Sequence, residues 1–135
     1  MSATPNLPIT GNHTLVPVLT AGDTTKDGTG SVSLLAQAGT SGAYLYQIRV
    51  MAYGTNSTST ILRVWLNNNS TPTVAANNSL LYEIQLPATT ISETLAQKPQ
   101  VYNCNIRLKA NYRLYCCLST TVSAGWQPFA VVEDL

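Results

Sequence analysis

Apolar and polar residues alternate with a period of two through most of the chain, and that period predicts strands. In AYLYQIRVMAY, Tyr44, Tyr46, Ile48, Val50 and Ala52 make one face, opposite Leu45, Gln47, Arg49, Met51 and Tyr53. TSTILRVWLN sets Thr60, Leu62, Val64 and Leu66 against Ile61, Arg63 and Trp65, and GTNS (54–57) supplies the turn between the two runs. SLLYEIQLP groups Leu80, Tyr82, Ile84 and Leu86. VYNCNIRL groups Tyr102, Cys104, Ile106 and Leu108, and YRLYCCLS groups Tyr112, Leu114, Cys116 and Leu118. With TLVPV (14–18), SVSLLA (31–36) and a last strand, WQPFAVVE, the count reaches about eight. Pro128 cannot donate to a ladder, so the last strand is expected at an edge or to carry a bulge.

Turn formers fill the gaps: AGDTTKDGTG (21–30) and NNNSTPTVAANN (67–78) read as loops. ISETLAQK (91–98) is the one candidate for a helical turn, too short to alter the class. Residues 1–13, with Pro5, Pro8 and Gly11, read as an extended arm. The expectation is an all-β, jelly-roll-like sandwich of about eight antiparallel strands over 14–135, preceded by the arm.

Composition supports this class. Of 135 residues only 10% are charged, while Thr, Ser and Asn are abundant, which suits strands better than solvent-exposed helices. The net charge is +1 and the seven basic residues are scattered, so no electrostatic footprint for direct nucleic-acid binding is present. Neither a signal peptide nor an apolar run long enough for a membrane span is seen, which predicts folding in a cytoplasm, with the Asn-X-Ser/Thr triplets incidental.

Candidate chemistry is sparse. The single histidine, His13, lies in the arm, so a histidine-dependent nucleophile has no partner in sight. Adjacent residues of a strand point to opposite faces, so Cys116 and Cys117 cannot grip one ion or close on each other. Cys116 reads as a core residue, Cys117 as outward or facing a neighbouring subunit, and all three cysteines as free thiols. Asp23-Thr-Thr-Lys-Asp-Gly28 lacks the ligand pattern of a calcium loop and reads as a turn. No phosphate-binding glycine pattern occurs. The expectation is no enzyme, no cofactor and no metal.

If the even faces form the core, Leu45, Met51, Tyr53, Ile61, Trp65, Leu81 and Tyr115 lie outside, and such a set suggests a contact with another chain. A sugar-stacking platform of Trp65, Tyr53 and Tyr115 is the alternative of another class.

Two segments, 38–68 and 80–132, resemble small virion proteins of tailed phages. The resemblance rests on the strand pair ending in an Asn cluster, LPATT at Leu86–Thr90, and AGW at Ala124–Trp126. It points to capsid decoration, or cement, proteins with a jelly-roll sandwich. It implies a homo-oligomer, dimer or trimer, on the capsid exterior, stabilising contacts between major capsid proteins after synthesis in a bacterial cytoplasm. In that role Leu7 and Ile9 of the arm would anchor on a neighbour, and Met51 and Trp65 would serve an intersubunit contact. A tail or fibre module of the same architecture is the nearest alternative.

Overall fold

The computed structural model describes residues 14–135, so the arm with Leu7 and Ile9 lies outside the described residues. Seven strands are found among them: β1 (Ser33–Gln37), β2 (Ala43–Ala52), β3 (Thr60–Asn67), β4 (Asn78–Leu86), β5 (Gln100–Leu108), β6 (Arg113–Leu118) and β7 (Trp126–Asp134). They form two antiparallel sheets, β1-β6-β3-β4 and β5-β2-β7. The pairs nest as β1 with β6, β2 with β5 and β3 with β4. Such nesting is the wrapped hairpin of a jelly roll, shortened here to six strands. β7 is then added to the free side of β2, at a sheet edge, where Pro128 breaks no further ladder.

The expected strand over 14–18 does not form. Pro17 has no N–H to give, and pairing begins only at Leu19, which exchanges hydrogen bonds of 2.8 and 3.0 Å with Trp126. Asp23 N–H then donates to the Leu118 carbonyl at 2.8 Å, so residues 19–23 tie β7 of one sheet to β6 of the other. A Cβ on Gly22 would overlap the Thr120 backbone, which is why this crossing needs a glycine. Residues 91–98 are not helical. Gln97 instead mimics a strand, accepting from Ala52 N–H (3.1 Å) and donating to its carbonyl (2.8 Å).

Three bulges change the faces predicted from simple alternation. On β2, Leu45 pairs with Val132 and Gln47 with Val131, leaving Tyr46 as an extra residue. Ala43 and Leu45 therefore face the core before it, and Ile48, Val50 and Ala52 after it, while Tyr44 and Tyr46 turn outward. Opposite Tyr46, β5 carries Cys104 and Asn105, the latter at φ 53°, a left-handed conformation that asparagine tolerates. On β4, Leu81 is the extra residue, so Leu80 is exposed and Leu81 packs on the core. On β1 the extra residue is Leu35, buried with Ala36.

The core between the sheets is apolar: Leu35, Leu45, Ile48, Val50, Leu62, Val64, Leu86, Leu114, Cys116, Leu118 and Trp126 are all buried. Two asparagines, Asn56 and Asn67, are equally buried. Asn56 accepts from Ala124 and Gly125 N–H (3.0 and 2.8 Å) and donates to the Gly125 and Gly54 carbonyls (2.9 and 3.2 Å). Its own backbone pairs with Thr89 at 2.8 Å both ways. It thus fastens three loops at one end of the sandwich. Asn56→Ala would strand the buried Gly125 N–H and the half-buried Ala124 N–H and is expected to cost about 3 kcal/mol in urea unfolding. A loss below ~1 kcal/mol would show that water replaces the side chain at no cost.

Candidate interaction surface

The outer faces of the two sheets differ because only one is covered by the chain itself. The loop of residues 21–32 crosses the four-stranded sheet. Asp23 clasps it, one carboxylate oxygen accepting from Thr25 N–H (2.8 Å) and the other from Ser31 N–H (2.9 Å). Asp27 accepts from the Thr29 N–H and hydroxyl at 3.1 and 2.6 Å. The loop is held to the sheet by Trp65 Nε1–H donating to the Lys26 carbonyl (2.9 Å) and by Asn78 donating to the Asp27 carbonyl (3.1 Å). Asp23 spends both of its carboxylate oxygens, and Asp27 one, on loop donors. No group of three metal-ligating side chains occurs among the described residues.

The loop corrects two expectations. Trp65, expected on the surface, is 1% exposed, because the loop folds over its outward face. Cys117 belongs to the outer row as expected but is covered too. It forms the floor of a cleft of about 310 Å3 between residues 17–22 and 31–33. All three cysteines are free. Burial pushes the Cys116 thiol up to about 12; burial, with the Asp23 carboxylate adding, pushes Cys117 up to about 11. Burial also raises Cys104. A thiolate is the reactive form, so these groups are poor nucleophiles.

Of the other residues expected outside, Leu45 is buried and Leu81 packs on the core. Ile61 and Tyr115 are half-buried on the four-stranded sheet, Tyr115 accepting from Arg113 at 3.2 Å. Beside them Arg63 is buried and bonded to Glu83 at 3.1 Å. Met51 and Tyr53 are exposed, but they belong to the other sheet and its end. The expected set is therefore split between two surfaces. With Trp65 buried and Tyr53 and Tyr115 on different sheets, no stacking platform of these three exists.

The uncovered surface has two parts. The outer face of the three-stranded sheet carries Tyr44, Tyr46, Arg49 and Met51 on β2, Val101 and Arg107 on β5, and Phe129, Val131 and Glu133 on β7. Tyr44 and Tyr46 lie 4.6 Å apart between ring centres, and the Tyr46 hydroxyl donates to Glu133. A groove of about 270 Å3 between Leu15, Val16, Met51 and the Gln127–Phe129 stretch leads from this face to one end of the sandwich. That end, fastened by Asn56, exposes Leu15 by 86%, Leu95 by 75% and Tyr53 by 67%. The opposite end bonds to itself through amides: Asn67 to Asn78 (2.8 Å), Asn77 to Thr71 (3.0 Å) and Gln37 to Asn69 (3.3 Å).

Sequence reasoning missed Leu15, Leu95 and Phe129: Leu15 and Phe129 stand in apolar runs that read as ordinary strands, and Leu95 is a lone apolar residue in a polar stretch. The hydroxyls of Thr60, Ser119 and Thr120 cluster where β3 meets the end of β6, but they bond to one another and to backbone. No helix among the described residues is long and apolar enough to cross a membrane. Comparison with protein-family models, curated proteins and solved structures gives no match.

Two outcomes follow from the covered sheet. Cys116 and Cys117 should resist a disulfide reagent at pH 8 in the native protein and react fully in denaturant; rapid native labelling of either would contradict their burial. Hydrogen bonds, led by that from the Thr25 side chain, hold the Asp23 carboxyl down from 3.8 to about 2. A depressed carboxyl stabilises the fold above its unfolded pKa, and that contribution disappears as pH falls from about 3.8 through about 2. Trp65 emission should shift to the red over that range, and Asp23→Asn should remove this transition. An unchanged transition in the variant would assign it to other carboxyls.

Proposed function

We propose that the protein is a structural component of a bacteriophage head. It binds the capsid exterior as a homo-oligomer, stabilises contacts between major capsid proteins and has no catalytic step. The observation that supports this most is the difference between the two ends of a rigid sandwich. One end satisfies its amides internally, and its apolar side chains are only about half exposed, Val74 by 48% and Leu135 by 49%. The other presents Leu15, Tyr53 and Leu95 to solvent, fastened by a buried asparagine. Exposed apolar groups held on a rigid frame suit a partner surface, because little ordering entropy is lost on docking.

A decoration protein works by adding buried area across capsomer junctions, which needs shape and apolar contact in place of chemistry. Here the Leu15–Tyr53–Leu95 end meets the shell, and the three-stranded face and the arm are left for contacts between copies or with the lattice.

The test is co-sedimentation with heads assembled from the major capsid protein of the phage that encodes this chain. The wild-type protein should bind at a fixed ratio. Leu15→Glu with Leu95→Glu should weaken binding on the order of tenfold or more while the folded protein melts unchanged. Undiminished binding of the double variant would remove this end from the account. Labelled protein found on tails would replace the head assignment with a tail or fibre role.

A further inference from the structure

The outer face of the three-stranded sheet is complementary to itself. Arg107 on β5 and Glu133 on β7 both stand in register with Tyr44 on the central strand β2. Val101 on β5 and Phe129 on β7 both stand in register with Arg49, five residues further along β2. Each row therefore carries a group on one flanking strand and its chemical counterpart on the other. Within one chain β5 and β7 are separated by β2, so roughly 10 Å of sheet lies between their backbones. Among the described residues the one salt bridge is that of Arg63 with Glu83.

A two-fold axis lying in the face and running along β2 exchanges the two flanking strands. It sets Arg107 over the partner's Glu133 and Val101 over the partner's Phe129, each contact occurring twice. Tyr44 and Tyr46 meet their copies at the centre. Tyr46 already donates to Glu133 and orients that carboxylate, which has lone pairs left for an arginine. We propose that this face is an isologous contact between two copies of the chain. The inference rests on the homo-oligomeric part of the proposed function and names its self-contact.

The same axis makes one unfavourable contact. Arg49 lies on β2 and faces its own copy, so like charges oppose the pairing. The face is also small. Three strands at ~4.8 Å spacing and seven residues at ~3.3 Å give a flat footprint of about 330 Å2, against the ~800 Å2 a partner buries in a standard interface. The free dimer is accordingly weak and salt-sensitive, and copies concentrated on one shell pair far more readily than copies in solution.

The experiment is sedimentation velocity on the full chain at about 100 μM, the upper part of the range in which weak pairs form, in low salt and in about 1 M salt. The wild-type protein should dimerise in low salt and dissociate in high salt. Arg107→Glu and Glu133→Arg should each weaken the dimer on the order of tenfold, since each places like charges across the axis. Mixing the two variants should restore it, because both contacts of that mixed pair are opposite in charge. The chain carrying both changes should dimerise as well. Arg49→Gln should tighten the wild-type dimer several-fold.

All three side chains are surface groups, and unchanged melting confirms that each variant is folded. A monomeric wild type, single variants that dimerise normally, or a mixture that stays monomeric would each overturn the pairing. Binding to heads is scored separately. A monomer that still decorates heads loses only this self-contact, whereas a dimer that ignores heads loses the decoration role and keeps it.

Discussion

The carboxylate of Asp23 is the constraint on which the remaining surface depends. By accepting from Thr25 and Ser31 it closes residues 23–31 into a compact loop, and the loop lies on the four-stranded sheet through Trp65 and Asn78. β3 is therefore buried on both faces: Leu62 and Val64 against the core, Arg63 and Trp65 beneath the chain's own cover. Without that cover the protein would expose an indole, a thiol and a guanidinium on its largest sheet. With it, the most exposed apolar side chains, Leu15, Leu95 and Tyr53, stand together at one end.

The strand positions were legible in the chain because period-two alternation survives locally, even where it fails over a whole strand. What alternation could not show was the bulges. Tyr46, Leu81 and Leu35 each add one residue to a strand, and each reverses the facing of everything beyond it. Tyr44 was expected inside and lies outside, and Leu45 the reverse, although the strand itself is where the pattern put it. The Trp65 error has a different origin: its parity was right, and a loop distant in sequence covers it. Leu15 was hidden in a run read as a strand that does not form, and Leu95 was invisible because nothing periodic surrounds it.

The polar side chains that bond at loops and strand ends share one character. Asn56, Gln97, Asp23 and the Thr60–Ser119–Thr120 hydroxyls all replace backbone partners at loops and strand ends. Each therefore serves rigidity, and the cysteine thiols are buried with pKa values raised away from the reactive form. A frame stiffened at its ends, with apolar groups fixed on one of them, is a sound design for adding contact area to a larger assembly. It explains why a sequence so poor in charge can carry Leu15, Tyr53 and Leu95 in the open: in the proposed assembly they are covered.

The central claim is that the uncovered end and the three-stranded face become buried on the particle. Hydroxyl-radical footprinting of the free protein and of decorated heads tests it most directly, because Tyr, Leu and Met side chains report their exposure one by one. The account predicts loss of labelling at Tyr53 and Leu95 of the end and at Met51 and Tyr46 of the face. Val74, exposed by the Asn-rich end, should be labelled equally in both states. Unchanged labelling at the first four residues, or protection centred on Val74, would contradict it.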